Sequence, residues 1–205
     1  MPRYPMVFVD VDTQADFMLP GGRLYVPGAE KLIPILERLR DFADQHGVPI
    51  LASTDAHSTE DLEFQLWPPH CVRGTPGQLK LPETLLRQYM VVPRERLSPL
   101  TDLELSRCQQ WILEKDVLNL FQNPQADDLV KRLDAEQYVV YGVVTECWVR
   151  LAVKGLLERK RTVVLLSDAI REIEPEAGQA VLRELQADGA RLVQTEEVLR
   201  MTMVA

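Results

Sequence analysis

Cysteine is scarce in this chain and odd in number: Cys71, Cys108 and Cys147 are the only three among 205 residues. Three thiols spread over a mid-sized chain do not read as a disulfide framework, so a reducing cytoplasm is the expected compartment. No apolar run approaches the roughly 20 residues that cross a bilayer, and Met1-Pro-Arg-Tyr-Pro5 lacks the apolar core of a signal peptide, so no membrane partner is expected. Basic runs are also missing. With 23 Lys and Arg against 31 Asp and Glu, the formal charge is −8, which argues against nucleic acid or an anionic membrane surface as partner. Repeats and low-complexity segments are absent too. What remains is an ordinary globular composition, 46% hydrophobic and 26% charged, long enough for one well-buried domain and short for two.

The apolar patterning alternates between strand and helix. Met6–Val11 reads as a buried strand. Pro27-Gly28 opens a helical pattern with Leu32, Ile35, Leu36, Leu39 and Phe42 at spacings of three and four, and Gly47 stops it. Val48–Ala52 is a second strand, completing a strand–helix–strand unit. Residues 56–80, rich in Pro, Gly and polar side chains, read as a loop excursion. Leu85–Val92 has room for a short helix and strand, and residues 94–110 read as an insertion. Trp111–Leu113 is a strand, Asn123–Asp127 starts a helix running to about Asp134, and Tyr138–Val144 is the strongest strand signal in the chain. A helix from about Glu146 to Arg159, the strand Thr162–Leu166, a helix over Pro175–Asp188 and the strand Ala190–Val193 follow, before a last short helix. This alternation predicts one α/β domain over residues 1–205, a doubly wound parallel sheet with helices on both faces in a Rossmann-like three-layer arrangement. Ligands of such sheets bind beyond the carboxyl ends of the strands. Asp12, Asp55, Lys115 and Cys147 all fall just past predicted strand ends.

Several of these residues carry chemistry. Asp55-Ala-His57, Glu63 and His70 place four metal-capable side chains within sixteen residues, and imidazole with carboxylate suits a divalent cation such as zinc, manganese or iron. Asp55 and His57 would project to one side of an extended segment. Unrelated surface histidines would give the same spacing. Asp10, Asp12 and Asp16 supply three carboxylates directly after the first strand, where Asp also serves as a turn or cap residue. Lys115 at a strand end would ordinarily be a solvated charge. Cys147 lies where a strand turns into a helix, a setting in which free N–H groups favour a thiolate and can hold an oxyanion; a buried structural cysteine is the commoner fate.

Together these pieces resemble the isochorismatase-like cysteine hydrolases, and within them the nicotinamidase branch, over roughly residues 6–194. Asp12-Thr-Gln14-Ala-Asp16-Phe17 resembles the family's D-x-Q-x-D-F signature, and Asp55-Ala-His57 its D-x-H metal motif. Trp67-Pro-Pro-His70-Cys-Val-Arg-Gly74-Thr75-Pro-Gly77 is similar to the W/F-P-x-H-C-x-x-G-T-x-G block. Lys115 with Phe121 resembles K-x-x-x-x-x-F, and Gly142-Val143-Val144-Thr145 the strand end leading to the nucleophile. The resemblance implies Asp12 as acid/base, Lys115 as third catalytic member and Cys147 as nucleophile. It implies one divalent ion on Asp55, His57, His70 and Glu63, holding a pyridine nitrogen. It also implies a substrate pocket drawn from Phe17, Trp67, Val143, Val144 and Trp148. The expected reaction is hydrolysis of a small carboxamide, nicotinamide to nicotinate and ammonia, through a thioester, in NAD salvage. Self-association into a homo-oligomer is implied as well.

Two departures from the family pattern stand out. Glu63 takes the place where many nicotinamidases carry a third histidine, with Glu60 and Asp61 as nearby alternatives. The family's G-x-x-T-x-x-C-V here reads Gly142-Val-Val-Thr145-Glu-Cys147-Trp148-Val149, so the usual cysteine position holds Trp148 and Cys147 comes one residue early. One helical step rotates a side chain by about 100°. Three explanations follow: a turn one residue tighter that presents Cys147 normally, a Cys147 displaced with hydrolysis lost, or a pocket reassigned to stacking by Trp148. The alternatives to a nicotinamidase are therefore another family hydrolase acting on a different small amide or ester, or a catalytically silent metal- or ligand-binding homologue.

Overall fold

A computed structural model describes residues 4–200. Its centre is a seven-stranded sheet in the order β3-β4-β2-β1-β5-β6-β7, every pairing parallel. The strands are β1 Tyr4–Val11, β2 Ile50–Asp55, β3 Tyr89–Val92, β4 Gln110–Lys115, β5 Ala135–Val143, β6 Val163–Arg171 and β7 Arg191–Val193. The helices are α1 Ala15–Met18, α2 Ile33–His46, α3 Asp102–Ser106, α4 Ala126–Leu133, α5 Arg150–Glu158, α6 Pro175–Ala187 and α7 Thr195–Leu199. This is the expected doubly wound α/β domain.

The central strands β1, β2 and β5 are buried along nearly all their length, as a parallel sheet covered on both faces requires. The helices fall into two layers. Arg38 of α2 pairs with Glu196 of α7, whereas Arg132 of α4 binds Asp102 of α3, and Arg159 after α5 binds Asp127 of α4. Right-handed crossovers put α2 on one face and α4, α5 and α6 on the other, because β1→β2 runs one way along the sheet and β5→β6→β7 the other. Gly47 closes α2 in the left-handed conformation at φ 65°, its N–H bonded to Ala43 O.

Strand boundaries differ from expectation where polar residues are buried. β2 is expected over Val48–Ala52 but runs over Ile50–Asp55, because Ser53, Thr54 and Asp55 pair with β4 and Ser53 and Asp55 face the site. β6 likewise passes Ser167 and Asp168 to reach Arg171. The segment expected as an insertion contains α3, started by a capping box in which Thr101 and Glu104 bond each other's backbone N–H.

The chain reverses direction at β1, whose neighbours are β2 and β5. This is the switch point where a cleft forms at the carboxyl ends of strands. Asp12 follows β1, Asp55 ends β2, Lys115 ends β4, and Asp55 is in register with Lys115. Gly142 brings β5 against β1 at the same level: at φ 120°, a Cβ there would lie 2.1 Å from Val11 O.

Candidate active site

Asp12, fully buried, adopts φ 50°, the left-handed region that non-glycine residues seldom occupy and that clusters at functional sites. Its carboxylate is held from two sides. Ser53 Oγ donates to Oδ1 at 2.7 Å, and Lys115 Nζ lies 2.9 Å from Oδ2. Burial pushes the Asp12 carboxyl up to about 6 even though Lys115 pulls it down. Burial works against the Lys115 charge too, but Asp12 and Asp55 more than offset it and hold the ammonium above its ordinary pKa.

Asp55 joins this pair to the histidines. Its Oδ1 accepts from Lys115, and its Oδ2 lies 3.6 Å from His57 Nε2 and 3.7 Å from His70 Nε2. Burial works to raise Asp55, yet Lys115 and the two histidines bring it below the usual carboxylate range. Gln14 fixes the strand end: its Nε2 donates to Asp55 O and Gln78 O, and its Oε1 accepts from Asp55 N.

The histidines turn the same atom inward. His57 Nδ1 is 3.0 Å from Asp61 Oδ2 and His70 Nδ1 2.8 Å from Pro68 O, so each ring is held from behind with Nε2 free. Asp55 Oδ2, His57 Nε2, His70 Nε2 and Glu63 Oε1 are buried atoms without a hydrogen-bond partner. Such atoms are costly unless something satisfies them. The ligand atoms of Asp55, His57 and His70 all lie within 4.8 Å of one another, and Glu63 Oε1 is 3.9 Å from His70 Nε2. Tetrahedral zinc with ligands at ~2.1 Å separates them by about 3.4 Å. The donor set fits a divalent cation.

Among the candidates for the fourth acidic ligand, Asp61 stands behind His57 and Glu60 is exposed, leaving Glu63 at the cluster. Phe17 is buried, its ring 5.3 Å from that of His70. Trp67 is half-buried, and among the described residues no ring contact joins it to the cluster; Phe64 does so instead, 5.3 Å from His57 and 5.7 Å from His70. Val143 and Val144 are buried at the end of β5 and joined by a cis peptide.

The turn after β5 decides where the thiol goes. Thr145–Val149 forms a π-turn in which Val149 N donates to Val144 O at 3.1 Å, closing over five residues rather than four. It is wider than an α-turn, so the tighter turn that would present Cys147 normally does not form. Trp148 points inward instead, 2% exposed, its ring 4.9 Å from Phe17, 6.4 Å from His70 and 5.4 Å from Lys115 Nζ. Cys147 is half-buried. Burial, Glu146 and Glu63 push its thiol up to about 11.

Sequence reasoning missed Ser53, Gln14 and Phe64. Ser53 had a signal, since it stands two residues before Asp55 and shares its side of β2. Gln14 lay inside a motif already noticed. Phe64, on a short 3-10 turn, carried none.

Comparison with known proteins identifies the family. A family model described as "Isochorismatase domain" matches residues 6–110 and 100–197. The chain belongs to the isochorismatase family. It is 24% identical to a nicotinamidase of Escherichia coli, over 92% of this chain and 94% of that one. It is 26% identical to a nicotinamidase of Saccharomyces cerevisiae, over 89% and 96%. Among solved structures it resembles the pyrazinamidase of Pyrococcus horikoshii in complex with zinc, with 26% identity, 93% of this chain and 99% of that one covered, and a TM-score of 0.75. The expectation of a hydrolase acting on an amide C–N bond agrees with these relatives.

Proposed function

We propose that this protein is a metal-dependent amidohydrolase that converts a small heteroaromatic carboxamide, nicotinamide in the first instance, to the acid and ammonia. One observation carries the reading: four unpaired buried ligand atoms adjoin a buried Asp12–Lys115 pair through the shared carboxylate of Asp55. A divalent ion on Asp55, His57 and His70, with Glu63 beside them, supplies a Lewis-acid anchor for the ring. Asp12, with its pKa near 6, exists in both protonation states around neutrality, as a residue that takes and returns a proton must. It takes the thiol proton of Cys147, the sulfur attacks the amide carbon, and Asp12 returns the proton to the departing ammonia; the same carboxylate then activates water for deacylation. Lys115 keeps Asp12 in place and favours its ionised form. The thiol reaches Asp12 only if the π-turn rotates by about one residue, roughly 100°. Phe17 and Phe64 wall the ring site. The three free thiols fit a reducing cytoplasm.

A second reading, binding without turnover, is favoured by Trp148, whose ring rather than a thiol faces Lys115. Ammonia release from nicotinamide by zinc-, manganese- and iron-loaded protein separates the two, with Cys147→Ser as control. Turnover lost in Cys147→Ser supports the amidase; absence of turnover with every metal sinks it in favour of the binder.

A further inference from the structure

We propose that the Trp148 indole is an internal occupant of the substrate ring site, so that this chain holds its own site closed and binds a flat aromatic ligand only by exchange with that side chain. The inference rests on the proposed function for the ligand's class, a pyridine carboxamide or carboxylate.

Trp148 belongs to the buried core, yet the polar side of its surroundings is the candidate site itself. It is walled by Phe17 at 4.9 Å, by the Lys115 ammonium at 5.4 Å and by His70 at 6.4 Å. Two of these three are charged or metal-ligating groups that the reaction needs to reach. Its own Nε1 is buried without a hydrogen-bond partner, as are Trp111 Nε1 in β4 and Thr145 Oγ1 on the same turn, so no hydrogen bond anchors the indole where it stands. A flat ring held through its nitrogen beside His70 would need the place between Phe17 and Lys115 that the indole fills. Indole and ligand ring therefore compete for one space.

The exchange also bears on the thiol. Trp148 and Cys147 are neighbours on one π-turn, so rotation that withdraws the indole carries the sulfur toward the vacated place. A wide turn holding one residue more than an α-turn is a local irregularity that can shift register without disturbing α5 behind it.

The test is binding of nicotinate, which is not turned over, to zinc-loaded protein by titration calorimetry. Trp148→Ala is expected to bind at least ~10-fold more tightly than the wild type, because the wild-type affinity is reduced by the fraction of molecules with the indole out. Free indole is expected to compete with nicotinate in the variant. Equal affinity in the two proteins, or indole and nicotinate bound together, overturns the proposal. So does a variant that takes indole and refuses nicotinate. A second measurement needs no cavity: saturating nicotinate should shift wild-type tryptophan emission to longer wavelength, and Trp148→Phe, which keeps Trp67 and Trp111, should abolish the shift. An unshifted wild-type spectrum at saturation contradicts the exchange. Competition without ammonia release from nicotinamide in either protein would remove the amidase reading and leave the assignment of Trp148 intact.

Discussion

Lys115 and Asp55 end adjacent parallel strands in register, and the lysine ammonium bonds Oδ1 of the carboxylate whose Oδ2 faces the two histidines. One carboxylate thus joins the buried Asp12–Lys115 pair to the proposed metal cluster. Whatever occupies the cluster acts on the field at Lys115, and through it on Asp12 2.9 Å away. Substitutions in one half are therefore expected to be felt in the other.

Asp12 is the sharpest test of the acid–base assignment. Asp12→Asn should abolish turnover of nicotinamide while leaving zinc content nearly unchanged. In the active protein kcat/KM should fall on an acid limb at or below pH 6, because the carboxyl pushed up to about 6 by burial is drawn down again by a cation on neighbouring Asp55. Stability has the opposite sign. A carboxyl raised from 3.8 to about 6 favours the folded state in its protonated form. That contribution is complete below about pH 4 and lost as pH rises through 6. Urea unfolding of wild type and Asp12→Asn from pH 4 to 7 reads it as a slope present in one protein and reduced in the other.

Lys115→Met should cost about 3–5 kcal/mol, since it leaves two buried carboxylates facing each other without a cation. Adding Asp12→Asn should recover part of the loss. Chemical denaturation of the three proteins measures both effects, and a Lys115→Met protein as stable as the wild type would mean that the buried pairings are not formed in solution.

Metal binding should depend on the inward-facing atoms in order of their placement. His70→Ala is expected to abolish retention of zinc through dialysis. Asp61→Asn, which loosens the ring of His57 from behind, should weaken affinity by roughly 10–100-fold. Glu63→Gln should weaken it less than His70→Ala. Elemental analysis with competitive chelator titration checks the series; a His70→Ala protein carrying one equivalent of zinc would contradict the cluster.

Gly142→Ala should destabilise by well over ~1 kcal/mol, because alanine is strained at φ 120° and its Cβ would strike Val11 O. Loss of the thermal transition, or a large drop in its midpoint, is the expected result. An unchanged midpoint would mean that β5 does not approach β1 so closely.

Much of the scaffold was legible because buried parallel strands are near-continuous apolar runs. Met6–Val11, Trp111–Leu113 and Tyr138–Val144 all mark strands of the sheet. Legibility failed where a strand turns polar: Ser53, Thr54 and Asp55 remain in β2 because the strand pairing satisfies their backbone, and Asp12 and Lys115 bond the side chains of Ser53 and Asp55. Asp12, Asp55 and Lys115 were visible as residue types at strand ends, and His57 and His70 as metal-capable residues in the loop after β2. That Asp61 and Pro68 O stand behind the histidines was not, since the choice between facing a metal and backing a ligand depends on loop path.

The sequence by itself determined the strand–helix alternation, the parallel sheet and the supply of carboxylates, imidazoles and lysine near its carboxyl edge, because these follow from local apolar periodicity and chain order. Only the tertiary structure decided which atoms converge. Asp55 was brought to Lys115 by the register of β2 with β4, a pairing between segments 60 residues apart. Trp148, and not Cys147, was turned toward Lys115 by a turn that closes over five residues. Residue order places both on one turn, but the side each faces is set by how the backbone closes against β5 and Phe17.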